Sequence, residues 1–336
     1  CDYNYVFDPK TYLRRYFAEE NGDYAFLVDE AHNLVDRARE MFSAELDQGQ
    51  ILEVKRAVQC EAPACGKALD KVSRYLTALR KAAAATEPSG KAVSQVTKEA
   101  PADLLPLLRT VLKEAETWLV RNAPAPFRED LLELYFRVTG FGRTAESYND
   151  GYVTIFETAE EQARLRLFCL DPSALLRSAL KRGRAAVFFS ATLTPLNYFR
   201  EMLGGAAEDP ALQLPSPFPA GNLGVFVESR IATNLKERES TCDRVAQVIA
   251  ALVRQKRGNY LVYFPSHKYL NRVLERFHVL HPDLATLAQT TAMSESEREA
   301  FMRQFRDDHE ATLVGFAVLG GIFGEGIDLV GDRLIG

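Results

Sequence analysis

Tyr24-Ala25-Phe26-Leu27-Val28-Asp29-Glu30-Ala31-His32 is the stretch on which the reading of the fold turns. Five largely apolar residues stop abruptly at two acids, the pattern of a buried strand that ends at a functional edge. Apolar spacing then predicts a helix from about Asn33 to Phe42. Adjacent carboxylates at the carboxyl end of a buried strand lie where parallel α/β sheets bind their ligands. In a nucleotide hydrolase the first acid holds Mg²⁺ and the second orients and polarises the attacking water. The residues also fit a plainer reading, a strand whose acids precede a helix N-terminus, where carboxylates are stabilised in any case.

Downstream, from about Ser43 to Arg143, the chain changes character. Ala, Leu, Lys and Glu dominate, and apolar residues recur at helical spacing, as in Leu69, Val72, Leu76 and Leu79, then Leu104, Leu107, Leu108 and Val111. The spacing predicts a mostly helical insertion of domain size, with a turn within Ala82–Lys91 around Pro88-Ser89-Gly90. Strand and helix signals then alternate. Tyr152–Phe156 and Leu165–Leu170 read as strands, Asp171-Pro172-Ser173 opens a helix, and Ala185–Phe189 resembles a strand covered on both faces. After the stiff connector Leu214-Pro215-Ser216-Pro217-Phe218-Pro219 comes a second β/α region. It has a helix over Arg244–Lys256, a strand over Tyr260–Phe264, a helix after Ser266, a capping box at Ser294 and Glu297, and a strand over Thr312–Leu319. Such alternation implies parallel sheets.

The bulk numbers set limits on this picture. With 336 residues there is room for about two domains. Apolar residues make up 47% and charged residues 26%, ordinary globular usage that excludes a disordered or fibrous chain. Lys and Arg number 41 against 46 Asp and Glu, a net charge of −5, so any nucleic-acid surface must be local. Arg177, Lys181, Arg182, Arg184, Arg254, Lys256 and Arg257 are its candidate cations, and each also reads as an ordinary solvated charge. There is no run of about 18 apolar residues, so no membrane span is expected. The five cysteines are too scattered for a disulfide framework and fit free thiols. The first residues lack a signal peptide, and both ends read as cuts through a longer protein.

Three further segments carry possible chemistry. Ser190-Ala191-Thr192 follows an apolar run and reads either as a relay of small hydroxyl groups or as a plain strand-to-turn junction. Gly320-Gly321-Ile322-Phe323-Gly324-Glu325-Gly326-Ile327-Asp328 is glycine-dense after a strand, so its backbone can approach a phosphate, or it is a tight loop. It is not a dinucleotide fingerprint, because Leu329 stands where the third glycine belongs, and no Gly-Lys-Ser/Thr phosphate loop occurs anywhere. Ser266 in Pro265-Ser266-His267-Lys268 reads as a phosphate contact at a helix start or as an N-cap. Cys60 and Cys65 have no second pair nearby, which argues against a metal site, and Trp118 reads as core.

Taken together and in order, these motifs resemble the XPD/DinG-like helicases of superfamily 2. The resemblance rests on Asn4-Tyr5-Val6-Phe7-Asp8-Pro9-Lys10, Leu27–Asn33, Cys169–Ser173, Phe189–Pro195, Pro215–Pro219, Leu261–Ser266 and Gly324–Asp328. It implies an α/β fold with two RecA-like parallel-sheet motor domains, both incomplete, and an arch-like helical insertion. The implied division is 1–42, part of the first motor domain; 43–143, the insertion; 144–200, the rest of the first domain; and 201–336, the truncated second domain. ATP and Mg²⁺ are the implied ligands. Asp29 would be the Mg²⁺-linked acid, Glu30 the water activator, and His32 a communicator across the cleft. Ser190, Ala191 and Thr192 would couple hydrolysis to movement. Ser266, Gly324, Glu325, Gly326 and Asp328 would contact nucleotide or DNA.

The implied partners are single-stranded and forked duplex DNA, travelled 5′ to 3′, with no membrane, in the cytoplasm and on the nucleoid of a bacterium. The resemblance also has gaps. The phosphate loop, the four cysteines of a [4Fe-4S] cluster and the final arginine-bearing motif are absent, and the cluster is expected only upstream. Many relatives carry Ser where this chain has Gly324. Two alternatives remain at this point: a non-catalytic nucleic-acid-binding relic of a helicase, and a metal-dependent nuclease that would need a further acid.

Overall fold

In the structure, a computed structural model that describes residues 2–17, 22–86, 93–121, 123–159, 162–217, 219–222, 224–308, 310–324 and 327–336, the chain divides into two units, Cys1–Leu214 and Pro215–Gly336. The first unit opens with two single-turn helices, α1 (Asn4–Phe7) and α2 (Arg14–Phe17), followed by β1 (Ala25–Val28) and α3 (His32–Met41). Next come β2 (Ala44–Asp47), α4 (Gln48–Val58), α5 (Pro63–Thr86), β3 (Ser94–Thr97), α6 (Leu104–Leu119) and α7 (Arg128–Glu146). β4 (Tyr152–Ala159), β5 (Gln162–Cys169), α8 (Ser173–Leu180), β6 (Ala185–Phe188) and α9 (Leu196–Met202) complete the unit.

Two cores hold this unit together. In the first, β1 and β6 pair in parallel with Ala25 opposite Ala185 and Val28 opposite Phe188. Phe26 and Val28 point inward onto Leu34, Val35 and Ala38 of α3 and Leu176 and Ala179 of α8. The outward residues Leu27 and Val187 face each other in register and are 72% and 53% exposed. The sequence expectation that Ala185–Phe189 is covered on both faces therefore does not hold among the described residues. A strand alternates sides with every residue, and α3 and α8 pack on one side only.

The second core runs from Leu46 to Leu167. Leu46, Ile51, Leu69, Leu76, Leu108, Trp118 and Phe141 pack with Phe156, Leu165 and Leu167 of β4 and β5. Trp118 lies in this core against Phe127, with ring centroids 4.8 Å apart. β4 and β5 were expected to join a parallel sheet. They form an antiparallel hairpin instead, in a sheet of order β2-β5-β4-β3 with every pairing antiparallel. Their inward residues alternate as in a sheet with one buried face, and the apolar stripes of α4 to α7 supply the cover. The turn or loop expected over Ala82–Lys91 does not begin at Ala82, since α5 runs to Thr86 through an alanine run that favours helix. Pro88-Ser89-Gly90 lies outside the described residues.

The second unit consists of α10 (Arg238–Val253), β7 (Asn259–Phe264), α11 (His267–Leu280), β8 (Ala285–Ala288), α12 (Glu295–Arg303) and β9 (Leu313–Val318). Its strands are parallel in the order β7-β9-β8. Central β9 is covered on both faces. Val314 and Phe316 meet α10 and α11 through Ile249, Leu270 and Phe277, while Ala317 meets Phe301, Phe305 and Phe323 on the α12 side. Ser294 and Glu297 form the expected capping box. The Ile335 N–H donates to the Asn259 carbonyl and the Leu261 N–H to that of Gly336, each at 2.8 Å, so the chain's last residues run beside β7. Gly258 permits this approach, because a Cβ there would lie 1.9 Å from Ile335 Cδ1.

Candidate active site

The acid pair and the Ser-Ala-Thr segment meet because β1 and β6 are neighbours. The Phe189 N–H donates to the Val28 carbonyl at 3.0 Å, and the Ala31 N–H donates to the Phe189 carbonyl at 3.2 Å. Asp29 and Glu30 thus leave the carboxyl end of β1 beside Ser190, which leaves the end of β6. Ala31 is fully buried under the site and anchors the start of α3.

Glu30 has φ +47°, and it is the one non-glycine residue with positive φ among the described residues. Left-handed backbone costs an L-residue about 1–2 kcal/mol. Such strain persists only where the surroundings enforce it, and it clusters at functional sites. Here the Glu30 N–H donates to Asp29 Oδ1 at 2.7 Å, which leaves the other Asp29 oxygen open at an exposed position.

His32 Nδ1 lies 2.8 Å from Ser190 Oγ and 3.2 Å from Glu30 Oε2. Ser190 Oγ is 3.2 Å from Glu30 Oε2 and accepts the Thr192 N–H at 3.2 Å, and Thr192 Oγ1 is 3.3 Å away. One proton arrangement satisfies the group: Nδ1–H donates to Ser190 Oγ, and the Ser190 hydroxyl donates to the Glu30 carboxylate. Residues 158 positions apart in sequence thus share one hydrogen-bonded network. Ala191 is exposed between its two hydroxyl neighbours.

The donor chemistry fits Mg²⁺ held jointly with a phosphate. Asp29 offers a hard oxygen, and Mg²⁺ is ordinarily bound through one or two carboxylates together with substrate phosphates. Among the described residues no group of three or more His, Cys, Asp or Glu could hold a metal unaided. The further acid that a nuclease site would need is therefore not supplied by them.

In the second unit the predicted residues gather at the carboxyl edge of the parallel sheet. Ser266 follows β7, and its Oγ accepts the Tyr269 N–H at 3.4 Å as the N-cap of α11. The glycine loop follows β9, with Gly320 at φ +72° and the Gly324 N–H donating to the Gly321 carbonyl at 2.8 Å. Phe323 plugs the loop into the core, its ring 4.2 Å from that of Phe301, and its carbonyl accepts the Tyr263 hydroxyl at 2.6 Å. The Leu319 N–H donates to the Phe264 carbonyl at 2.8 Å, which binds the two strand ends together. Asp328 is exposed, and its carbonyl lies 3.5 Å from Arg333 Nη1. Glu325 and Gly326 lie outside the described residues.

Several candidate cations turn out to serve the fold. Arg177 donates to the carbonyls of Gly204 and Gly205. Arg182 donates to the Val6 carbonyl and lies over the Tyr12 ring. Arg184 faces Asp23 at 3.6 Å, and Arg254 makes a two-pronged contact with Asp283. Lys181, Lys256 and Arg257 are exposed.

Sequence reasoning missed two supports. Gln289 is buried at the end of β8, and its Oε1 accepts the Val318 N–H at 2.9 Å behind the glycine loop. Arg39 reaches from α3 to α9. A polar residue closing an apolar strand was a signal for the first. The second has none in sequence, since its partners are remote.

Comparisons with known proteins agree with this layout. Residues 249–336 match the family model of the helicase C-terminal domain. The ATP-dependent DNA helicase CHL1 of Debaryomyces hansenii is 18% identical over 348 residues, an alignment covering 91% of this chain. The chain is thus similar to the XPD/DinG-like helicases of superfamily 2. Another XPD/DinG-like relative is the helicase subunit XPD of general transcription and DNA repair factor IIH from Schizosaccharomyces pombe, 24% identical over 176 residues and 48% of this chain. The structure of S. tokodaii Xpd4 has the same fold, with a TM-score of 0.51 at 15% identity, over 94% of this chain and 62% of that one. The alignments take in 42% of the CHL1 sequence and 22% of the XPD sequence, so this chain spans less than half the length of these curated relatives.

Proposed function

We propose that this chain supplies the hydrolysis and coupling parts of an ATP-dependent DNA helicase. In this reading Asp29 holds Mg²⁺ through water and Glu30 orients and deprotonates the attacking water. Mg²⁺ held there by Asp29 would supply positive charge against that developing on the phosphates of ATP. His32, Ser190 and Thr192 sense the state of Glu30, because a proton or water taken up by its carboxylate competes with their shared hydrogen bonds. Ser266, Gly324, Glu325, Gly326 and Asp328 contact nucleotide or DNA from the second unit.

The same reading assigns residues 1–42 and 144–200 to a first motor domain, 43–143 to an arch-like insertion and 201–336 to a second motor domain, with β4 and β5 of the first domain pairing with β3 and β2 of the insertion. The motor travels 5′ to 3′ on single-stranded DNA and opens forked duplexes in repair or replication. It works in the cytoplasm, on the bacterial nucleoid. Any iron–sulfur cluster belongs to residues outside this chain. Among the described residues no helix is long and apolar enough to cross a membrane.

The observation that carries the proposal is the 2.8 Å contact between His32 Nδ1 and Ser190 Oγ beside a strained Glu30. The test is Glu30→Gln in the intact protein. ATP turnover stimulated by single-stranded DNA should vanish while nucleotide binding survives, and a variant that hydrolyses ATP at the original rate would remove Glu30 from the role.

A further inference from the structure

The network at Glu30, His32 and Ser190 is one of two bridges between the same pair of segments. The second lies seven residues along α3. Arg39 spreads its guanidinium over three partners: Nε donates to the Leu170 carbonyl at 2.9 Å, Nη1 to Asp36 Oδ1 at 2.8 Å and Nη2 to the Tyr198 hydroxyl at 3.2 Å. α3 begins at His32, and Tyr198 lies in α9, which follows the Ser190–Thr192 segment directly. Two chain segments cross-linked at two points form a closed frame.

We infer that Arg39, through Tyr198, is a positioning residue that sets the His32–Ser190 hydrogen bond. The segment Ser190–Pro195 is anchored at one end by the backbone bond from Phe189 to Val28 and midway by Leu193, which packs against the first core. Its other end is α9. The far end of that helix is held by Arg177 on the carbonyls of Gly204 and Gly205, and its near half by Phe199, which packs against the first core, and by Arg39. With the Arg39 contact gone, the near half of α9 has one anchor fewer, and the loop that carries Ser190 can move away from His32. A planar fork is needed, because a single ammonium cannot donate in fixed directions to both the Leu170 carbonyl and the Tyr198 hydroxyl. Leu170 follows β5 directly, so the clamp also refers the site to the end of the insertion's sheet.

This inference deepens the proposed function and rests on it for its meaning, but its test needs no hydrolysis. The experiment records the imidazole nitrogen resonances of the full chain, which has five histidines, labelled with ¹⁵N on histidine at one fixed pH. Tyr198→Phe deletes one hydroxyl from an exposed ring and should leave the thermal midpoint unchanged. The expected result is a shift of the His32 Nδ1 signal away from its hydrogen-bonded value while the other four histidines stay in place. Arg39→Lys should give the same selective shift. A His32 signal identical to the parent's in both variants would overturn the inference. A shift spread over all the histidines would count against it too, because that reports a loosened fold. Loss of the motor reading through Glu30→Gln would leave this measurement untouched, so the two claims can fail separately.

Discussion

Replacing Glu30 by alanine and by glycine separates backbone strain from side-chain chemistry. Both variants remove the carboxylate and its contacts with His32 and Ser190, so those losses cancel in the comparison. At an ordinary helical φ, glycine is less stable than alanine by about 0.5–1 kcal/mol, because the unfolded glycine chain has more freedom to lose. At φ +47° alanine keeps the clash between Cβ and the carbonyl, worth about 1–2 kcal/mol, and glycine does not. Subtracting the entropy term leaves Glu30→Gly the more stable of the two by roughly 0–1.5 kcal/mol, about 0.75 at mid-range. Urea unfolding followed by far-ultraviolet circular dichroism reads this as a higher midpoint at equal slope. The sign decides the matter. If Glu30→Ala were the more stable of the two, the backbone there would not be left-handed, and the strained presentation of Glu30 would have to be abandoned.

Core geometry makes a second contrast. Leu34→Ala removes a fully buried side chain and should cost about 2–5 kcal/mol, whereas Leu27→Ala, at 72% exposure, should stay within about 0.5 kcal/mol, both read from urea midpoints. The thiols give a third prediction. Burial pushes Cys65 and Cys169 up to about 11, so at pH 8 iodoacetamide should modify exposed Cys60 and spare those two, as read by peptide mass spectrometry. The folded state holds these protons more tightly than the unfolded chain does. Their contribution to stability should therefore be complete below the ordinary thiol value of 9.0 and fade as the pH rises towards about 11.

How legible the fold was depended on the range of its determinants. β1, α3, the capping box at Ser294 and the strand over Leu313–Val318 were readable because local period and capping chemistry fix them. The meeting of Glu30 and His32 with Ser190 could not be read from the sequence, because the residues lie 158 positions apart, although each segment follows a strand end, where parallel sheets gather function. What escaped was pairing direction. Val153, Ile155, Leu165 and Leu167 alternate identically whether the strand beside them runs parallel or antiparallel, and the partners β2 and β3 sit inside a region that reads as helical. Two β-strands of four residues each give too little period to stand out among helices. The strain at Glu30 was equally invisible, because no residue type there demands it.

The antiparallel sheet also explains how a long segment can interrupt the first core just after α3. That segment leaves after Phe42 and Ser43 and returns at Cys169, and these ends are pinned together. The Cys169 N–H donates to Ser43 Oγ at 3.0 Å, the Ser43 hydroxyl to the Arg39 carbonyl at 2.6 Å, and the Tyr152 hydroxyl to the Phe42 carbonyl at 3.1 Å. Glu40 adds a two-pronged contact with Arg166 of β5. An insertion whose ends already touch adds no loop to be closed within the core, so its length costs the core little. The same pins make α3 a shared element, since its first residue, His32, touches Ser190 and its last turn grips β5. A displacement of Glu30 that tilts α3 must therefore strain the β2–β5 edge or be resisted by it. The insertion's sheet is in that sense part of the mechanical surround of the acid pair rather than an appendage hung beside it.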